Sequence, residues 1–429
     1  MTSGVIYRRL EANFADTNGG LSRMTETFPL AGIRIADFSW VGAGPFMTKP
    51  LADHGAEVIK VESKTRTDVI RSMPPFRDGE AGVNRSGYFA NRNSSKQSIC
   101  LDLHTELGRD LALRLIARSD MVVNNFTPGT MDRLGLGYHA ARAVRPDIIY
   151  LEMPMQGNHG PHSSFRGFGL SIGAVGGIFG LSGYPDRPPV GTGTNYPDHV
   201  PNPLHGAIAL LAALRRRRHT GEGAYIELAQ LESTVNIIGP SMVAAALGHD
   251  VGRRGNTEDS AAPYGPYPCQ SVDTWCALAA YTDEQWTALA RVLGRPDWLA
   301  DPDFGSLDAR RSSAERLNKE VGAATALRDA WELADELCAA GVPAAAVSTS
   351  DELVDRDPQL RARGHWVTLD HPEMGPSIYN NIPYRLTRTP GRLRSSAPLL
   401  GADTEAVCTG LLEMSAAEYA DAQSTGAIG

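Results

Sequence analysis

Cysteine is sparse and unpatterned in this chain. Five thiols (Cys100, Cys269, Cys276, Cys338, Cys408) are scattered through 429 residues, with no C-x-x-C pair and no histidine pair near Cys269 and Cys276. That excludes a disulfide framework and the usual zinc spacings, and it fits a reduced, cytoplasmic setting with no metal. Long apolar runs are missing too: none approaches the roughly 18 residues of a membrane span. The opening "MTSGVIYRRLEANFADTNGG" has no signal-peptide core and reads as an arm over residues 1–27. Positive charge is in deficit, with a net charge of −8, which argues against a nucleic-acid partner. The one dense basic run, Arg215 to Arg218, follows "GAIALLAAL" and reads as a helix end, where cations complement the dipole. Internal repeats and low-complexity tracts are absent.

What is present is an ordinary globular composition, 42% hydrophobic and 21% charged, in a chain long enough for two domains. "IRIADFS" alternates as a strand, "GAGP" breaks it, a helical segment runs to Gly55, and "EVIKVE" is a second strand. The unit repeats through "SICLDL", "DMVVNNF", "DIIYLEM" and "AYIELAQ", with helical segments between them. Strands joined by helical crossovers imply a parallel sheet covered on both faces. Residues 28–235 therefore read as the first part of a doubly wound, Rossmann-like α/β domain. A linker at 236–255, a smaller α-rich domain at 256–345 and a return to the large domain over 346–429 complete the expected organisation. The segment Arg253 to Ser271 reads as turns.

The loop "GAGP", with Glu62 closing the next strand, mimics a dinucleotide fingerprint but fails it. Met47 occupies the third small position, and Pro45 removes an N–H where a pyrophosphate needs donors. What survives is a loop free of bulky side chains at the carboxyl end of a strand, where open α/β sheets bind ligands.

Several segments then line up. "PLAGIRIADFSWVGAGPFMTKPLADHGAEVIKVES", "SSKQSICLDL", "VVNNFTPGTMDRLGLGY", "GYPDRPPV", "HTGEGAYIELAQLE", "DPQLRARG" and "TPGRLRSSAPLLGADT" follow one another in the order found in family III CoA-transferases. The chain resembles that family from about Phe28 to Met414, α-methylacyl-CoA racemase being a side branch. The resemblance implies coenzyme A and acyl-CoA as substrate, an organic acid as second substrate, a large domain built from both chain ends with a small inserted one, and an interlocked homodimer. It also implies covalent chemistry, in which an aspartate carboxylate attacks the thioester beside backbone N–H groups that hold the oxyanions.

The family places that aspartate after Gly-aromatic. Here the segment is Gly167-Phe168-Gly169-Leu170, so Gly169 stands at the nucleophile's position. Three readings follow. Glu152, at the end of a central strand, or Asp198, in "NYPDHVPNPLHG", is the substitute carboxylate. Alternatively, the chain is a silent CoA-binding subunit whose homologous partner carries the aspartate. An acyl-CoA racemase using Asp198 is the third, although Phe168 stands where the racemase's histidine would be. His199 and His205 are potential acids or bases, or packing residues beside a helix start. For CoA, the resemblance points to Val41, Gly42 and Ala43 in the loop, to Lys96 near the phosphates, and to Asn125, Phe126 and Arg133. The family arginine after the Val-Glu strand end is Ser63 here, with Lys64 as its substitute. Trp40, Phe168 and Tyr196 suggest a bulky or apolar acid over an oxalate-like dianion.

Overall fold

The computed structural model describes residues 28–429; the arm expected over residues 1–27 lies outside them. Six short segments rich in Ile, Val and Ala pair in parallel: β1 (Arg34–Asp37), β2 (Glu57–Glu62), β3 (Gln97–Cys100), β4 (Met121–Asn124), β5 (Ile149–Glu152) and β6 (Ala224–Glu227). Their order across the sheet is β3-β2-β1-β4-β5-β6. Alternation sends Ile35, Val58, Met121, Val123 and Leu151 into one apolar core and Ala36, Ile59, Val122 and Tyr150 into another. Both faces are thus covered, as a parallel sheet requires. The winding direction reverses between β1 and β4, so the loops leaving these two strands diverge and open a crevice.

Helix Ala43–Asp53 follows β1 and packs on helix Pro201–Thr220. The approach is close because residue 206 is glycine; a Cβ there would stand 2.3 Å from the Met47 sulfur. The far end of the chain closes the β3 edge. Asp403 accepts from the Ser98 N–H (2.8 Å), Thr404 from the Cys100 N–H (3.0 Å), and Ile428 bridges to Leu101.

Two compact units are present. The first contains the sheet and comprises the described residues up to Ile172, Asn195–Thr234 and Gly364–Gly429. The second comprises Gly173–Thr194 and Val235–Arg363, a wider span than 256–345 that takes in the expected linker and an excursion after Ile172. It is not purely helical. Helices Asp283–Val292, Ala314–Thr325 and Ala330–Ala339 accompany an antiparallel sheet of β7 (Tyr264–Pro268), β8 (Trp275–Ala279) and β9 (Ala344–Ala346). Its core includes Trp286 and Trp298, stacked at 5.6 Å. β7 reads "YGPYP" and falls in the segment expected to be turns; proline is tolerated there because β7 is an edge strand. A hairpin of β10 (Trp366–His371) and β11 (Gly375–Asn380) belongs to the first unit. Among the described residues, no helix is long and apolar enough to cross a membrane, and no cluster of three or more His, Cys, Asp or Glu suits a metal ion.

Candidate active site

The loop leaving β1 is held in an unusual shape. Val41, a β-branched residue, has φ +66°, a conformation such side chains adopt only when surroundings impose it. Those surroundings are polar and specific. Asn125, just past β4, accepts from the Trp40 N–H (2.8 Å) and donates to the Trp40 carbonyl (2.7 Å). Asp68 accepts from the Val41 N–H at 2.9 Å. Lys60 donates to the Ser39 carbonyl (2.8 Å) and Lys96 to the Pro45 carbonyl (2.9 Å).

Beneath the loop lies a buried charge network. Asp37 faces Lys96 (3.4 Å), Lys60 pairs with Asp68 (2.9 Å), and Arg71 grips Glu62 through two N–H groups at 2.8 Å each. Burial pushes the Asp37 and Glu62 carboxyls up. Lys96 and Lys60 around Asp37, and Arg71 and Lys60 around Glu62, more than offset this, and both end below the ordinary range. Lys60 ends higher than usual, because Asp68 and Glu62 outweigh its burial. Lys96 is pulled down by burial to about 8, despite Asp37.

The crevice above the loop is a cavity of about 650 Å³. It takes in Val41, Gly42, Ala43, Asn125, Phe126 and Arg133, every residue expected to contact CoA except Lys96. Lys96 is buried, with its ammonium also on Asn93 (2.9 Å); it shapes the loop from below and does not reach the cavity. Two arginines that the sequence reading passed over line the cavity with Arg133, namely Arg66 and Arg166. Arg66 lies over the Trp40 ring at 5.8 Å. It stands three positions past Ser63, so a register-bound comparison misses it, while Lys64 lines a different hollow beside Cys100. An adjoining apolar cavity of about 390 Å³ shares Trp40, Arg66, Phe126 and Arg133 and adds Phe38 and Leu101.

Of the two substitute carboxylates, only Asp198 lines the cavity. It is 4% exposed, and its Oδ2 accepts from the Gly169 N–H at 3.0 Å. Burial pushes its carboxyl up to about 6, against the lowering pull of that N–H. A Cβ on Gly169 would sit 2.7 Å from Asp198 Oδ2 and 2.8 Å from the Asn195 Cβ, and one on Gly42 would sit 2.9 Å from the Asp198 Cβ. Two glycines therefore make room for this carboxylate. Glu152 is engaged elsewhere, accepting from the Tyr225 hydroxyl (2.7 Å) and the Asn158 amide (3.1 Å).

His199 lies 3.1 Å from the Tyr88 hydroxyl, and burial together with the Arg92 charge pushes it down to about 4. It is neutral at physiological pH. His205 is bonded to Ser233 at 2.6 Å. Of the aromatic trio, Trp40 and Phe168 line the cavity; Tyr196 does not, and Phe168 is 61% exposed.

Comparison with known proteins agrees with this geometry. The chain is 32% identical over 92% of its length to a succinyl-CoA–D-citramalate CoA-transferase of Chloroflexus aurantiacus, covering 97% of that protein. It is 32% identical over 93% of its length to the beta subunit of a succinyl-CoA–L-malate CoA-transferase of the same organism, covering 98% of it. The crystal structure of a CaiB/BaiF family protein from Brucella suis superposes with a TM-score of 0.82 at 31% identity, over 90% of this chain and all of that one. The model of CoA-transferase family III matches residues 30–404. The chain belongs to CoA-transferase family III, and CoA thioesters are its substrates.

Proposed function

We propose that this chain moves CoA between an acyl-CoA and an organic acid with Asp198 as the covalent carboxylate. The single observation behind this reading is that the Asp198 carboxylate fills the space where a side chain at position 169 would begin, and does so at the cavity wall. Asp198 would attack the donor thioester carbon. The C–S bond breaks, CoA leaves as thiolate, and a mixed anhydride forms. The thiolate then attacks the aspartyl carbonyl, expelling the donor acid and leaving an aspartyl-CoA thioester. The acceptor carboxylate attacks that thioester, CoA leaves again, and thiolate attack on the acceptor carbonyl yields the new acyl-CoA and free Asp198. The Gly169 N–H offers a donor to the developing oxyanion. Arg66, Arg133 and Arg166 suit the phosphates of CoA. The acceptors named for the two curated relatives, D-citramalate and L-malate, each carry two carboxylates, which makes a dicarboxylate the acceptor class to try first.

The assembly we propose is an interlocked dimer. Helix Pro201–Thr220 leaves Leu204, Ile208 and Leu211 exposed at 55%, 63% and 42%, on one face, as a surface awaiting a second chain would. A second reading, a supporting subunit beside an aspartate-bearing homologue, is favoured by Gly169 itself and by the beta-subunit relative.

One experiment separates them. Purified chain is incubated with radiolabelled succinyl-CoA and digested. A hydroxylamine-sensitive adduct on the peptide containing Asp198, lost in D198N, is the expected result. No adduct without a second chain, and an adduct on that chain's aspartate when it is added, would replace the first reading by the second.

A further inference from the structure

Resting on the transferase reading of Asp198, we propose that Arg92 anchors the acid substrate, holding the remote carboxylate of a dicarboxylate while the other meets Asp198. Nothing in the CoA cavity explains Arg92. It closes helix Gly87–Arg92, and its guanidinium lies 4.3 Å from the centre of the Phe46 ring and 5.7 Å from that of Tyr88. It donates from Nη1 to the Asn91 side chain at 3.2 Å, while its Nε is buried without a partner. Among the described residues no carboxylate comes within ion-pairing distance of it. The fully buried arginines differ from half-buried Arg92: Arg71 is paired with Glu62, and Arg310 with Asp283. A cation withdrawn from water without a counter-charge is costly, and such groups are normally paired. The cost is visible in Arg92, whose basicity burial lowers, and in neighbouring His199, which stays neutral.

The position of Arg92 supplies the rest. His199 follows Asp198 in the chain and meets the Tyr88 hydroxyl. Burial raises the Tyr88 pKa most, and the Arg92 and Asp198 charges then pull it in opposite directions, so both act on its phenol. Phe46, which carries Arg92 on its face, is bonded through its N–H to the carbonyl of Gly42 (3.1 Å), and Gly42 abuts Asp198. Phe46, Tyr88, Arg92 and His199 therefore form one cluster, joined to the Asp198 segment through His199 and Gly42, and none of them lines the CoA cavity. An acid exchanged at Asp198 must leave and enter on a side that CoA does not occupy. There it meets two flat aromatic walls, a phenol donor and one uncompensated guanidinium. That combination suits a short chain ending in a carboxylate.

The test compares succinate with monomethyl succinate as acceptors, CoA transfer being followed from a labelled acyl-CoA. In the wild-type protein kcat/KM favours the diacid by about 100-fold, as expected when a half-buried charged donor with no other counter-charge is left unmatched by the monoester. In R92Q this ratio collapses toward one, and R92K, which keeps charge but loses the fork, falls between. A ratio near one in the wild-type protein, or an unchanged ratio in R92Q, overturns the assignment; if R92Q fails to fold, the wild-type ratio and R92K decide it. Transfer to the monoester in any of these cases leaves the transferase reading standing. Absence of transfer to every acid, with no Asp198 adduct, is the separate result that removes that reading.

Discussion

Asp198 combines two properties that pull against each other: it is almost fully buried, and in the role proposed for it the carboxyl must be ionised to attack. With its pKa near 6, the ionised fraction rises tenfold per pH unit below 6 and saturates near 7. Formation of the Asp198 adduct should follow that curve. Linkage runs the other way. Between its ordinary pKa of 3.8 and 6 the native state binds the extra proton, so the neutral form stabilises the fold, and that contribution is lost as pH rises through 6. D198N should therefore raise Tm more at pH 7.5 than at pH 5, measured by scanning calorimetry; an equal change at both would contradict the buried carboxylate. Gly169 limits the same group sterically. In G169A the new Cβ meets Asp198 Oδ2, and overpacking of about 1–3 kcal/mol is expected in urea unfolding, together with loss of the adduct. G169D is expected not to restore ordinary family chemistry, because a second carboxylate must displace the first. Asp198 was legible as a candidate from its segment. Glu152 was not separable from it, because the side-chain face at a strand end depends on pairing. Tyr150 and Glu152 share one face and Leu151 the other, and that face carries Tyr225.

At the scale of the element, the β1 loop is an outcome of buried charge. All six strands could be read from short β-branched and apolar runs set between helical segments. The role of Lys96 could not, because a lysine at a strand start looks solvated until Asp37 and the Pro45 carbonyl are placed over it by distant segments. K96M removes one of the three cations of the buried network under the loop and leaves Asp37 undercompensated, a loss of about 3–5 kcal/mol. The double variant K96M/D37N should recover part of it. Urea midpoints of K96M, D37N and the double variant check the coupling; single-variant losses that simply add up to that of the double variant would mean that the two residues act independently.

At the scale of the molecule, the return of the C-terminal segment to the sheet was expected from resemblance, and hydrogen bonds such as Asp403 to Ser98 are its physical form. The extent of the second unit was less legible. Its excursion at Gly173–Thr194 interrupts a stretch that otherwise alternates strand and helix, and β7 hides behind two prolines. A sequence pattern records local preference, whereas an edge strand depends on which neighbour it finds. The apolar face of helix Pro201–Thr220 gives a prediction at this scale. If the proposed dimer uses this face, the wild-type protein is a dimer in mass photometry at micromolar concentration and I208D shifts it toward monomer. Retention of the dimer would place the interface elsewhere.

The left-handed Val41 has a consequence for how this protein could be improved or spoiled. Glycine adopts φ +66° freely, so V41G should relieve roughly 1–3 kcal/mol of strain and raise Tm. The same change frees the loop before any ligand arrives, so the thioester must then freeze it, and Kd for CoA should rise in isothermal titration. Selection for heat resistance alone would drift toward glycine here and erode that affinity.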